Sequence, residues 1–220
     1  MRIVLLGYGK MGRMIEGLAV EQGDEVVARL DSANDPLPAD FDVVIDFTQP
    51  DAVLGNVQRI AATGKPLVMG TTGWAKEYDV VRQVVEEQGI GLVYSANFSI
   101  GVNIFFRLVA QAAQLMKDRS EYEAWAYEIH HSAKLDAPSG TLLQIVDSMR
   151  DAGYERKIDV ASNRAGRVPG THEIGFDSTA DTITLTHTAR SREGFARGAL
   201  LAANLVQGKT GMLRFSDLLL

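Results

Sequence analysis

"RIVLLGYGKMG", Arg2–Gly12, decides how the chain is read. An apolar run, Ile3–Leu6, meets a G-x-G-x-x-G pattern made by Gly7, Gly9 and Gly12, and a stretch of helical periodicity follows over Met11–Gln22. Glycines so spaced permit a tight strand-to-helix turn, close approach of backbone N–H groups to a pyrophosphate, and close helix–strand packing. The positive end of the helix adds a preference for phosphate. Alone the pattern is weak, because a tight turn uses glycines anyway. Here it follows the first strand, opens a helix, and is succeeded about 20 residues later by Asp31 at the end of the next apolar run, which together point to a dinucleotide.

Asp31 suits the adenosine ribose hydroxyls, and a 2′-phosphate would meet its like charge. Ser32 stands where a 2′-phosphate binder often offers arginine, so NADH is favoured, while Arg29 keeps NADPH open. The plainer alternative is that Asp31 only begins the turn "DSANDP".

Outward from this motif, strands and helices alternate: "EVVARL"; "DVVIDF", then Asp51–Thr63; "PLVMG", then Lys76–Gln88; "IGLVYS". Near-continuous apolar strands joined by helices predict an α/β, Rossmann-type doubly wound parallel sheet buried on both faces. "GTTG", Gly70–Gly73, and "SANF", Ser95–Phe98, fall at carboxyl ends of strands, where open sheets bind ligands. In "FTQP", Thr48 or Gln49 reads instead as a helix cap.

After residue 97 the pattern changes. Ile104–Met116 reads as a helix, Tyr122–His131 as a strand and Ser139–Asp151 as a helix; then come a Gly/Arg loop, "SNRAGRVPGTH", and the strands "THEIGFDS" and "DTITLTHTA". Helices and antiparallel-looking strands in separate runs predict a second, α+β domain over 98–192 beside a dinucleotide-binding domain over 1–97. Gly194–Val206 and "LRFSDLLL" form an apolar helix and tail.

The chain has 220 residues, no cysteine and a formal charge of −6. It is long enough for real cores, offers no thiolate chemistry, and suits a cytoplasmic protein. The net negative charge argues against a general grip on nucleic acid, and no apolar run approaches the roughly 18 residues of a membrane span.

"EIHHSAKLDAPSGT", Glu128–Thr141, concentrates the remaining chemistry. In a strand, Glu128 and His130 share one face and His131 takes the other, unless the strand ends between the histidines. Lys134 follows closely, and Pro138-Ser139-Gly140-Thr141 reads as a capped helix start whose N–H groups suit a carboxylate or phosphate. A satisfied structural histidine and a plain N-cap are the bland alternatives. A metal site from His130, His131, His172 and His187 lacks helical ligand spacing, so no metal is expected.

The same stretch resembles the central motif of the 4-hydroxy-tetrahydrodipicolinate (dihydrodipicolinate) reductase family, E-x-H-H-x-x-K-x-D-A-P-S-G-T, at every fixed position. "GTTG", "NFSIGVN" and "RAGRVPGTHEI" follow the family pattern in the same order, so the resemblance covers nearly the whole chain. Two departures stand out: "GYGKMG" is one residue shorter than the family's usual G-x-x-G-R-M-G, and the chain is short for the family.

The resemblance implies NAD(P)H-dependent reduction of a cyclic dicarboxylate imine to tetrahydrodipicolinate with loss of water, in lysine biosynthesis through diaminopimelate. It implies His130 as acid/base and Lys134 as proton donor, with His131, Gly140 and Thr141 binding substrate carboxylates. The nucleotide would lie on Gly7, Tyr8, Gly9, Lys10, Met11 and Gly12, on Asp31, on Gly70, Thr71 and Thr72, and on Tyr94, Ser95, Ala96 and Asn97. It also implies that 193–220 return to the first domain and that the second domain builds a homotetramer. Arg164, Arg167 and His172 are candidates to close over the substrate, with a solvated loop as the alternative. A Schiff-base lyase using Lys134 as nucleophile, or a non-catalytic NAD sensor, are the competing readings.

Overall fold

The computed structural model describes residues 1–31 and 35–219. By internal contacts the chain forms two compact units, Met1–Ile100 with Glu193–Leu220, and Gly101–Arg192.

The first unit is a six-stranded, all-parallel sheet. Its strands are β1 (Arg2–Leu6), β2 (Glu25–Leu30), β3 (Val43–Asp46), β4 (Leu67–Met69), β5 (Gly91–Tyr94) and β10 (Gly211–Arg214), in the order β10-β5-β4-β3-β1-β2. The order reverses between β1 and β3, so the turn after β1 lies at a topological switch point, where ligands of open α/β sheets bind.

Strand alternation divides the core. Ile3, Leu5, Val43, Ile45, Val68 and Val93 face one side, packed with Ile15 and Leu18 of α1 (Lys10–Glu21) and Ala199, Leu200 and Ala203 of α6 (Glu193–Leu205). Val4, Leu6, Val44, Leu67, Met69 and Leu92 face the other, against Val57 and Ile60 of α2 (Val53–Ala61) and Val81 and Val85 of α3 (Tyr78–Gln88). Helices on both faces explain why these strands read as continuously apolar. Both α2 and α3 are entered through a short 3-10 turn. At Gly198 in α6 an added Cβ would lie 1.6 Å from the Phe98 carbonyl oxygen, so the helix can approach this closely only as glycine.

The second unit carries a four-stranded sheet of β6 (Glu123–His130), β7 (Ile158–Arg164), β8 (Thr171–Asp177) and β9 (Thr182–Thr188), ordered β7-β6-β8-β9. Ala124, Ala126, Ile174 and Phe176 on one face pack with Phe105, Phe106 and Val109 of α4 (Ile100–Met116) and Leu142, Ile145 and Met149 of α5 (Gly140–Asp151). The α+β expectation holds, with corrections. Helix α4 begins at Ile100 rather than Ile104, and β6 stops at His130, between the two histidines. The first part of the Gly/Arg loop is the end of β7, which runs parallel to β6, not antiparallel. In the tail, Gly211–Arg214 form the edge strand β10, followed by α7 (Phe215–Leu219).

Candidate functional site

In the first unit the glycine turn has the geometry its residues predict. Gly7 has φ +83°, and a Cβ there would stand 2.4 Å from the Phe47 carbonyl oxygen. A Cβ on Gly12 would stand 2.5 Å from the Gly7 carbonyl oxygen, so the first turn of α1 rests directly on the loop. Gly9 is the N-cap and supplies no capping side chain, and the first helical bond runs from the Arg13 N–H to the Gly9 carbonyl. The amides of Lys10, Met11 and Gly12 therefore lie in the helix start that phosphate prefers.

Asp31 ends beside this loop, where its Oδ1 accepts from the Tyr8 N–H at 2.6 Å. It thus braces the loop from the position just past β2. Ser32 lies outside the described residues. Arg29 is committed elsewhere: it donates to Glu16, whose carboxyl is held below its ordinary range by the Arg29 hydrogen bond first and the Tyr8 hydroxyl second.

Sequence reasoning missed the carboxylate beneath the neighbouring loops. Asp46, fully buried at the end of β3, accepts from the Thr48 N–H (2.8 Å), the Thr48 hydroxyl (2.7 Å), the Thr71 hydroxyl (3.0 Å) and the Asn56 amide (2.9 Å). Gln49, not Thr48, stands at the N-cap of the turn Pro50–Ala52, without a capping side-chain bond, and the Thr71 hydroxyl is spent inside the protein. Thr71 has only its backbone to offer a nucleotide. Gly70 is fixed by the Phe47 ring, 2.3 Å from a would-be Cβ, whereas Thr72 is exposed. A cavity of about 180 Å³ beside Asp31 includes Leu30, Thr48, Gln49 and Asn56. A second, of about 260 Å³, lies at the ends of β4 and β5 among Thr71, Thr72, Trp74, Tyr78, Tyr94 and Ser95. Ala96 borders it, and buried Asn97 caps the turn by accepting from the Ser99 N–H at 2.9 Å.

In the second unit the chemistry gathers on the helix-bearing face of the sheet. Register sets Glu128 opposite His172 on β8 and His172 opposite His187 on β9, while His130 pairs with Arg164 on β7. Glu128 is wholly buried. Its Oε1 accepts from Arg164 Nη2 at 2.8 Å and from the Ser139 N–H at 2.9 Å, and its Oε2 is in contact with His130 Nδ1. Burial alone would push this carboxyl up, but the Arg164 and Ser139 hydrogen bonds outweigh it and bring it down to about 2. Burial lowers His130, opposed by the Glu128 charge. His172, its ring 5.1 Å from that of His130, is pushed down to about 4 by burial and then by His130.

The loop after β6 carries the other candidates. His131 is half-buried just past the strand end, and its carbonyl accepts from the Lys134 N–H at 3.0 Å. Lys134 Nζ pairs with Asp136 at 2.8 Å, and that ion pair first, the Gly140 N–H last, holds the Asp136 carboxyl below the ordinary range. Ser139 is the N-cap of α5, accepting from the Leu142 N–H at 3.1 Å, and the Gly140 N–H is shared with Asp136; Gly140 is exposed and Thr141 half-buried. Arg164 is a strand residue bound to Glu128 and to the Asp136 carbonyl rather than part of a closing loop, and Arg167 is exposed.

Glu128, His130 and His172 bring ligand-type atoms within 4.8 Å of one another. Glu128 Oε1 already takes two donors while Oε2 makes only its charge contact with His130, and His131 and His187 stand outside the cluster.

A glycine turn at the switch point of a parallel sheet, with an acidic residue ending the adjacent strand, defines a dinucleotide-binding protein of the Rossmann class, and the second sheet adds a buried acid–base cluster. Comparison with known proteins sharpens that class. Residues 1–98 match the model of the dihydrodipicolinate reductase N-terminus and 101–219 that of its C-terminus. The 4-hydroxy-tetrahydrodipicolinate reductase of Christiangramia forsetii is 37% identical, covering 100% of this chain and 98% of that one. That of Alkaliphilus oremlandii is 36% identical over 96% and 95%. A dipicolinate-bound dihydrodipicolinate reductase from Paenisporosarcina sp. TG-14 shares the fold, with a TM-score of 0.81 over 99% of both chains at 21% identity. The chain belongs to the dihydrodipicolinate reductase family.

Proposed function

We propose that the chain reduces 4-hydroxy-tetrahydrodipicolinate to tetrahydrodipicolinate with loss of water, using NADH or NADPH, in lysine biosynthesis by the diaminopimelate route. One observation carries this reading: His130, Lys134 and the head of α5 lie within a single strand end and loop, so proton supply and anion binding fall together. The names of the full-length relatives support it, as does the cyclic dicarboxylate in the Paenisporosarcina structure.

The glycines at 7, 9 and 12 fit a pyrophosphate, since side chains at 7 and 12 would collide with backbone. Tyr8, Lys10 and Met11 complete that cradle; Asp31 holds the adenosine ribose, and Gly70, Thr71, Thr72 and Tyr94–Asn97 line the nicotinamide end. Loss of the C4 hydroxyl as water leaves a conjugated ring imine; a bound cofactor would supply hydride to C4, with electron density moving toward the ring nitrogen. Lys134 then delivers a proton, with His130 as the partner acid/base, while His131, Gly140 and Thr141 hold the substrate carboxylates. Asp31, with Arg29 bound to Glu16, favours NADH.

Assembly as a homotetramer would use the sheet face opposite α4 and α5, where Trp125, Tyr127 and Glu173 border a cavity of about 410 Å³. No described helix is long and apolar enough to cross a membrane, and with the absence of cysteine this supports a cytoplasmic setting. The test is NADH and NADPH consumption on freshly generated substrate; no consumption with either sinks the proposal. His130→Ala and Lys134→Ala should each lower kcat by roughly 10²-fold or more with unchanged circular dichroism. Borohydride trapping of Lys134 on a keto acid would instead favour a lyase.

A further inference from the structure

We propose that Glu128 is the positioning residue for proton transfer: it fixes the His130 ring by its Nδ1 edge and ties the Lys134 loop and the head of α5 to that same carboxylate. The inference rests on the acid/base role given to His130. Three contacts carry it. Oε2 lies against His130 Nδ1 as a charge contact rather than an aligned hydrogen bond, and the carboxylate charge there favours a proton on that nitrogen, leaving Nε2 as the exchanging atom. Oε1 takes the Ser139 N–H at 2.9 Å, one residue before Gly140. Oε1 also takes Arg164 Nη2 at 2.8 Å, and the same Nη2 donates to the Asp136 carbonyl in the loop that holds Lys134. Two rings and one loop are thereby set by one carboxylate, because Ser139 Oγ in turn lies 3.3 Å from His172 Nε2.

Gly170 bears on access to the other ring nitrogen. A Cβ there would lie 2.8 Å from His130 Nε2, so the glycine keeps that nitrogen uncovered. The groups facing His130 from the packed elements are Glu128 on its own strand, Arg164 on β7, His172 on β8 and Lys134 in the following loop. Glu128 is the one anion among them. A carboxylate orienting a catalytic imidazole acts through both geometry and charge, and its loss in comparable supporting shells costs roughly 10- to 100-fold in activity.

The experiment uses the full chain and Glu128→Gln. Glutamine can still accept from Arg164 and the Ser139 N–H, but its amide donates to Nδ1 and reverses the His130 tautomer. Expected are a fall in kcat of roughly 10- to 100-fold with KM for NADH unchanged, and a shift of the histidine limb of the kcat–pH profile to lower pH. Ring ¹⁵N shifts of His130 are read alongside, and in the parent protein they should show protonated Nδ1 and bare Nε2. Parent His130 protonated on Nε2 overturns the proposal whether or not the variant folds, and so does a folded variant with parental kcat and pH profile. Failure of the parent to consume NADH removes the proposed reaction instead, and leaves the nitrogen shifts to decide the positioning.

Discussion

Replacing Asp46 by alanine tests whether one buried carboxylate holds the nucleotide-side loops in register. Its four donors would not all be stranded: the Thr48 N–H also reaches Thr71 Oγ1 at 2.8 Å, and the Asn56 amide reaches Thr48 Oγ1 at 3.2 Å. The Thr71 hydroxyl and one Asn56 N–H lose an acceptor inside the core, at about 1–3 kcal/mol each, while the half-buried Thr48 hydroxyl can turn to water, so the loss is about 4 kcal/mol. With a urea m-value of about 2 kcal/mol/M, the unfolding midpoint of the first unit should drop by about 2 M. Trp74 reports this directly, since its indole N–H donates to the Thr71 carbonyl at 2.8 Å; a Trp125→Phe background removes the other tryptophan. Because the hydrogen bonds that tie "GTTG" to "FTQP" run through this carboxylate and its neighbours, NADH affinity should weaken by about tenfold, or about 1.4 kcal/mol. A midpoint within about 0.5 M of the parent, with unchanged NADH affinity, would refute the reasoning.

Other consequences are as direct. Gly170→Ala puts a methyl group against His130 Nε2 on a backbone at φ +152°, so turnover should fall by roughly tenfold or more while NADH affinity holds; steady-state kinetics with a binding titration checks this. His172 binds its proton only near pH 4 when folded but near 6.5 when unfolded, so its contribution is complete above about 6.5 and is lost as pH falls to about 4. His172→Gln should flatten that limb of the stability–pH curve by an amount on the order of 3 kcal/mol, measured by urea unfolding across the range. Asp31→Ala removes the Tyr8 brace and the proposed ribose acceptor, so kcat/KM should fall more for NADH than for NADPH; an unchanged ratio argues against the ribose contact.

The first sheet was legible because its signals are local. A buried parallel strand is apolar at every position, and the turn after β1 needs glycine for contacts that only glycine permits. Strand β7 was not legible: five of its seven residues are exposed, and "IDVASNR" neither alternates nor runs apolar. Edge strand β10, "GMLR", is too short to separate from the apolar tail. In the second unit, alternation placed Glu128 and His130 on one face, but Arg164 and His172 join them only through strand register, which no local pattern fixes. Thr48 sat where a cap would sit, and its real partner, Asp46, looked like one more residue of an apolar strand.

The discontinuity of the first unit bears on how the protein is made. The face carrying Ile3, Leu5, Val43, Ile45 and Val68 is completed by α6, and the sheet edge by β10, both of which follow the whole of Gly101–Arg192 in the chain. During synthesis from the amino end, the second unit has all its strands before the first has its last one. The nascent first unit must therefore wait with part of that apolar face uncovered, and a chain cut short before residue 193 could not finish its own first domain.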